Sequence, residues 1–181
     1  MLIAPAPRPP MPTENLLISV VMPCYNAAPY LTEAVESALR QSYGNVELIL
    51  IDDGSNDASP AIGASLAERY SGRVTLLHAR RVGPYPARNM GLQSARGEFV
   101  AFLDADDWWE STALEKLYSA LIAARADIAY CGWQNVGEGV TSEPYVPPPY
   151  EQTDAIEAFL RTTPWPIHAA LVKTVQAHFH T

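Results

Sequence analysis

The chain has 181 residues, 48% of them hydrophobic and 18% charged, which is enough for one domain with a sizeable core. A formal net charge of −8 with only two lysines argues against nucleic acid as a partner, because phosphate backbones demand clustered cations. No apolar run is long enough to span a bilayer, and the N-terminus lacks the basic start of a signal peptide. Cys24 and Cys131 are isolated, which fits a reducing compartment better than a disulfide framework. The expected location is cytoplasmic, with peripheral placement at the inner face of a membrane left open.

Residues 1–15 hold five of the 16 prolines and read as a flexible tail. The first strand, Ile18 to Met22, ends in Pro23-Cys24-Tyr25-Asn26. A helix follows, with Pro29 in its first turn and Tyr30, Leu31, Ala34, Val35, Ala38 and Leu39 at helical spacing. The second strand, Val46 to Ile51, runs into Asp52-Asp53-Gly54-Ser55. Asn56 and Asp57 are candidate caps for a helix carrying Ile62, Leu66 and Tyr70 on one stripe. Val74 to His78 is a third strand, followed by Arg80 and Arg81, each suited to a diphosphate or equally to a solvated strand end. A short helix is expected over about Ala87 to Ala95.

The fourth strand, beginning at Phe99, delivers Asp104-Ala105-Asp106-Asp107 at its end. Trp108 and Trp109 come next, either as a wall near a ligand or, for at least one of them, as core packing. Thr112-Ala113-Leu114-Glu115 reads as a capping box, opening a helix that turns Leu114, Leu117, Tyr118, Leu121 and Ile122 inward. A fifth strand is expected over 127–133, and Gly137-Glu138-Gly139 suits a hairpin turn. Strands alternating with helices predict an α/β fold, a mostly parallel sheet with helices on both faces. The organisation expected is a tail over 1–15, a ligand-binding domain over 16–135, and a Pro-rich loop with the start of a further segment over 136–181.

Three strands ending in polar, turn-forming residues describe a ligand crevice, since open α/β sheets bind ligands beyond the carboxyl ends of their strands. If the backbone stays extended past Leu103, Asp104 and Asp106 share a face. Two carboxylates so placed suit a hard cation such as Mg²⁺ or Mn²⁺, which keeps positions open for phosphate oxygens. The bland alternative is a solvated acidic loop that caps the next helix. Cys24 in the first turn reads as a small space-filling residue rather than a reactive thiol.

Four segments together resemble family-2 glycosyltransferases of the GT-A (Rossmann-like) fold. They are Ser19 to Asn26, Ile51 to Ser55, Ala87-Arg88-Asn89, and Gly97 to Asp107, in the family's order and approximate spacing over roughly residues 17–135. The resemblance implies a nucleotide-sugar donor, a divalent metal (Mn²⁺ or Mg²⁺), and inverting transfer to a hydroxyl of a glycan or lipid-linked acceptor. Pro23, Cys24 and Tyr25 would then border the base and Asp53 would accept a hydrogen bond from it. Arg88 would lie near the diphosphate or ribose, Asp104 by the ribose and metal, and Asp106 on the metal. One carboxylate facing an imide edge favours uracil, hence a UDP-sugar.

Inverting transfer also needs a general base, which the resemblance places in an acidic motif beyond these residues. The catalytic base is therefore unknown, and the chain is expected to be an incomplete, inactive fragment. His168, within Trp165 to Leu171, resembles the start of an acceptor-side segment, although a packed histidine is the commoner case; His178 and His180 show no metal-site spacing. Asp154 and Glu157 are expected to begin a short helix. A noncatalytic nucleotide-sugar-binding module is the alternative function. A nucleotidyltransferase is weaker still, because the glycine-rich phosphate loop is missing after the first strand.

Overall fold

The computed structural model describes residues 15–132, 134–137, 140–141, 143–144 and 170–173. Its elements are β1 (Ile18–Cys24), α1 (Leu31–Leu39), β2 (Val46–Asp52), α2 (Ser59–Arg69), β3 (Val74–His78), α3 (Pro84–Ser94), β4 (Phe99–Phe102), α4 (Ala113–Ala124), β5 (Ile128–Tyr130), β6 (Val136–Gly137), β7 (Val140–Thr141) and β8 (Ala170–Lys173). Six strands form one sheet in the order β3-β2-β1-β4-β8-β5. Neighbours among β1 to β4 are parallel, whereas β8 runs antiparallel to both β4 and β5. β6 and β7 pair antiparallel, as expected of a hairpin around Gly137.

Strand alternation sorts the core into two layers. Ile18, Val20 and Met22 of β1 and Val46, Leu48 and Leu50 of β2 face one way, against Leu31, Val35, Leu66, Leu114 and Leu121 of α1, α2 and α4. Val21, Ile49 and Ile51 face the other way, with Val100, against Ala87 of α3. This second layer is thin because α3 sits close to the sheet. A Cβ on Gly91 would overlap Val21 and lie 2.9 Å from Ile51 Cδ1, so only glycine fits there.

The amino end of the sheet closes on a buried polar knot. Ser19 Oγ donates to Glu47 Oε1 at 2.6 Å, and Gly97 N donates to Ser19 Oγ at 2.8 Å. Arg96 donates to the same carboxylate through its backbone N–H at 2.9 Å and its Nε at 2.8 Å. Burial works to raise the Glu47 pKa, but the hydrogen bonds from Ser19 and Arg96 outweigh it and hold the carboxyl below its usual range.

Several expectations need amendment. α3 starts at Pro84 rather than Ala87, since proline's fixed φ suits a first helical turn. Thr112 is the N-cap of α4 but makes no side-chain cap bond. Gln41 Oε1 accepts from Leu114 N at 3.0 Å, while Glu115 accepts from Ser42 Oγ. Pro29 precedes α1, whose N-cap is Tyr30. β8, a strand not expected from local pattern, pairs within the main sheet. The tail through residue 14 and the Asp154–Glu157 helix lie outside the described residues.

Candidate active site at the carboxyl end of the sheet

From β1 the chain steps outward to β2 and β3, then crosses back to place β4 on the other side of β1. That reversal opens a crevice beyond the carboxyl ends of β1 and β4, where α/β sheets bind ligands. The turns after β1, β2 and β4 all open there.

The first two turns are laced together. Asn26 N donates to Ser55 Oγ at 3.0 Å, Ala27 N to Ser59 Oγ at 2.9 Å, and Ala28 N to Asp57 Oδ2 at 3.1 Å. Asn56 N returns a bond to Asn26 Oδ1 at 2.9 Å. Asp57 also accepts from Ser59 N at 2.9 Å, so it serves the start of α2 although Ala58 holds the N-cap position. Cys24 is buried at 1% exposure, and that burial pushes its thiol pKa up. This supports a space-filling residue over a nucleophile. Pro23 is half-buried beside it, and Tyr25 is exposed.

Asp53 is 4% exposed, and both of its oxygens are engaged. Oδ1 accepts from Val82 N and Oδ2 from Gly83 N, each at 2.7 Å. The carboxylate expected to face a base thus clasps the loop between β3 and α3. Gly54 beside it has φ +72°, and a Cβ there would meet Arg81 N at 3.3 Å, so the turn is closed to other residues on two counts. Arg81 takes φ 57° and sets its guanidinium 3.3 Å above the centre of the Tyr25 ring. Motif reasoning did not reach this pairing; two arginines beside a Gly-Pro loop were its only signal.

On the β4 side the backbone turns rather than staying extended. Asp107 N donates to Asp104 O at 3.1 Å, so Asp104 and Asp106 lie on a turn and not on one strand face. Asp104 is half-buried and pairs with Arg88 of α3, Nη2 to Oδ1, at 2.5 Å. Burial pushes the Asp104 carboxyl above the usual aspartate range, Arg88 pulls it down, and Asp107 and Asp106 push it up again. Arg88 Nε is buried and has no hydrogen-bond partner among the described residues. Asp106 is exposed. Trp109 joins the core while Trp108 stands 51% exposed beside the acidic turn. Among the described residues, no three His, Cys, Asp or Glu side chains are arranged to hold a metal ion. The chemistry of the acidic turn nonetheless fits a cation, because three crowded carboxylates gain from positive charge.

The structure therefore gathers Pro23, Cys24, Tyr25, Asp53, Arg88, Asp104 and Asp106 at one end of the sheet. His168, His178 and His180 lie outside the described residues. No helix among the described residues is long and apolar enough to cross a membrane.

Residues 19–172 match the family described as Glycosyl transferase family 2. A Haemophilus influenzae protein named an uncharacterized glycosyltransferase is 41% identical over 120 residues, 64% of this chain and 48% of that protein. S. aureus TarS 1–349, solved in complex with UDP, aligns at 28% identity and TM-score 0.60, over 69% of this chain and 38% of that one. The Pyrobaculum calidifontis mannosyltransferase PcManGT, solved with GDP-Man and Mn²⁺, shares the fold at 24% identity and TM-score 0.63, over 94% of this chain and 48% of that one. The chain thus spans about half or less of each of these relatives. Since the match runs from β1 through β8, the chain belongs to glycosyl transferase family 2 and has the GT-A fold.

Proposed function

We propose that this domain binds a nucleoside-diphosphate sugar, with a UDP-sugar favoured, for inverting transfer of the sugar to a hydroxyl of a glycan or lipid-linked acceptor. The observation that carries this reading is the grouping of Tyr25, Asp53, Arg88, Asp104 and Asp106 at the sheet's switch point. Pro23, Cys24 and Tyr25 would border the base. Asp53 fixes the loop beside them and keeps further lone pairs on its oxygens for an imide N–H. Arg88 would lie near the diphosphate or ribose, where a guanidinium suits phosphate oxygens. Asp104 and Asp106 would hold Mn²⁺ or Mg²⁺, which when bound would neutralise charge on the leaving diphosphate.

No residue is assigned as the general base. Because no described residue is assigned as the base, residues 1–181 alone are predicted to bind donor and transfer negligibly. Base catalysis typically supplies about 10²–10⁴-fold in rate. The test is calorimetry with UDP in Mn²⁺ and in chelator. Binding should be clearly tighter with Mn²⁺, and Asp106→Asn should remove that difference without unfolding the protein. Equal affinity in both conditions would sink the metal assignment, and robust transfer by these 181 residues would show the catalytic machinery to be misplaced.

A further inference from the structure

Tyr25 and Arg81 reach each other from turns that follow different strands, and their pairing is built from below. Asp53 holds the amides of Val82 and Gly83 at 2.7 Å, which fixes the backbone on the carboxyl side of Arg81. Arg81 itself adopts a left-handed φ of 57°, an uncommon conformation for a long side chain. The result is a guanidinium carbon 3.3 Å above the Tyr25 ring centre. That spacing leaves no room for another planar group between them. Both side chains are exposed, and Arg81 forms no ion pair among the described residues, so the ring is its partner.

We propose that Arg81 is a specificity-determining residue that stands on the stacking face of Tyr25 in the place of a nucleobase, so that base binding exchanges one planar group for another. The inference rests on the reading above that Tyr25 borders the base. The exchange is inexpensive, because a displaced guanidinium returns to water while the aromatic face stays covered. It also selects for ligands whose ring outcompetes a cation on an aromatic surface, which a phosphate or sugar alone does not do.

Uridine separates stacking from any attraction of Arg81 to phosphate, and its affinity is measured by NMR-detected titration of the whole chain. Arg81→Gln keeps a long polar side chain but loses the cation, and should tighten uridine about two- to fivefold, the worth of an exposed cation–π contact. Arg81→Lys keeps the charge and should stay within about twofold of wild type. Tyr25→Ala should weaken uridine binding in every background. If Tyr25→Ala weakens binding while Arg81→Gln leaves it unchanged or weaker, Arg81 is a neutral neighbour or part of the platform; the proposal is then overturned and the base site stands. If Tyr25→Ala has no effect, the base reading fails and this proposal fails with it.

Discussion

The two ends of the sheet treat charge in opposite ways. At the amino end, Glu47 is enclosed and accepts from Ser19 and Arg96, and its donors close on one another. At the carboxyl end, Asp104 has one cationic partner, two acidic neighbours and a raised pKa. Arg88 Nε is buried there without a partner among the described residues, and Asp106 stands in solvent. Hydrogen bonds that satisfy a buried carboxylate lower its pKa and tie strands together, whereas incomplete satisfaction costs stability and leaves binding capacity. The closed end serves the fold, and the open end is the one proposed to serve a ligand.

The sharpest way to break this contrast is to unpick the closed end. Glu47→Ala should cost about 1–3 kcal/mol, chiefly by orphaning the buried Ser19 hydroxyl, seen as a lowered urea midpoint. The affinity of the folded fraction for UDP should not change. The wild type should also lose stability in acid. A carboxyl whose folded pKa is depressed contributes fully above its ordinary value, 4.5 here, and the contribution disappears as pH falls through the lowered folded value. Glu47→Gln should flatten that part of the stability profile; an unchanged acid limb would show that Glu47 is not the group being titrated.

Asp53→Ala probes the intermediate case, since it strands two loop amides near the surface. A loss of about 1 kcal/mol is expected, because the Val82 and Gly83 N–H groups can turn to water. Faster hydrogen exchange confined to those amides would mark the clasp; uniform exchange would argue that the whole domain is loosened. The smallest effect belongs to Asp106→Asn, an exposed substitution expected to stay within about 0.5 kcal/mol in stability. Its consequence should appear only in metal-dependent UDP binding, and a large drop in melting temperature would place Asp106 in the fold rather than the site.

Much of this was legible in the sequence. Apolar runs marked β1, β2 and β4 to within a residue or two, because a buried parallel strand has little freedom in composition, and the edge strand β3 was marked at both ends. The proposed site residues stood out because acidic residues cluster at strand ends, although Asp53 proves to hold the loop before α3 with both oxygens. What sequence could not supply were contacts chosen across the chain. Gln41 rather than Thr112 satisfies the start of α4, and Arg81 meets Tyr25. Nor did local pattern foretell that the chain turns after Asp104, since the same residues suit an extended run. Four residues of β8 carried no periodicity from which pairing with β4 could be read.

That strand has a consequence for how the chain folds. β1, β2 and β3 join through short crossovers and can assemble from nearby sequence, but β4 and β5 meet only through β8. The far side of the sheet therefore waits on a contact of large sequence separation, the kind that slows folding and keeps strand edges open meanwhile. Until β8 arrives, β4 presents an unpaired edge, an invitation to another copy of the chain. Removing residues 170–181 should thus leave a protein that aggregates during refolding while its β1–β3 half is already formed.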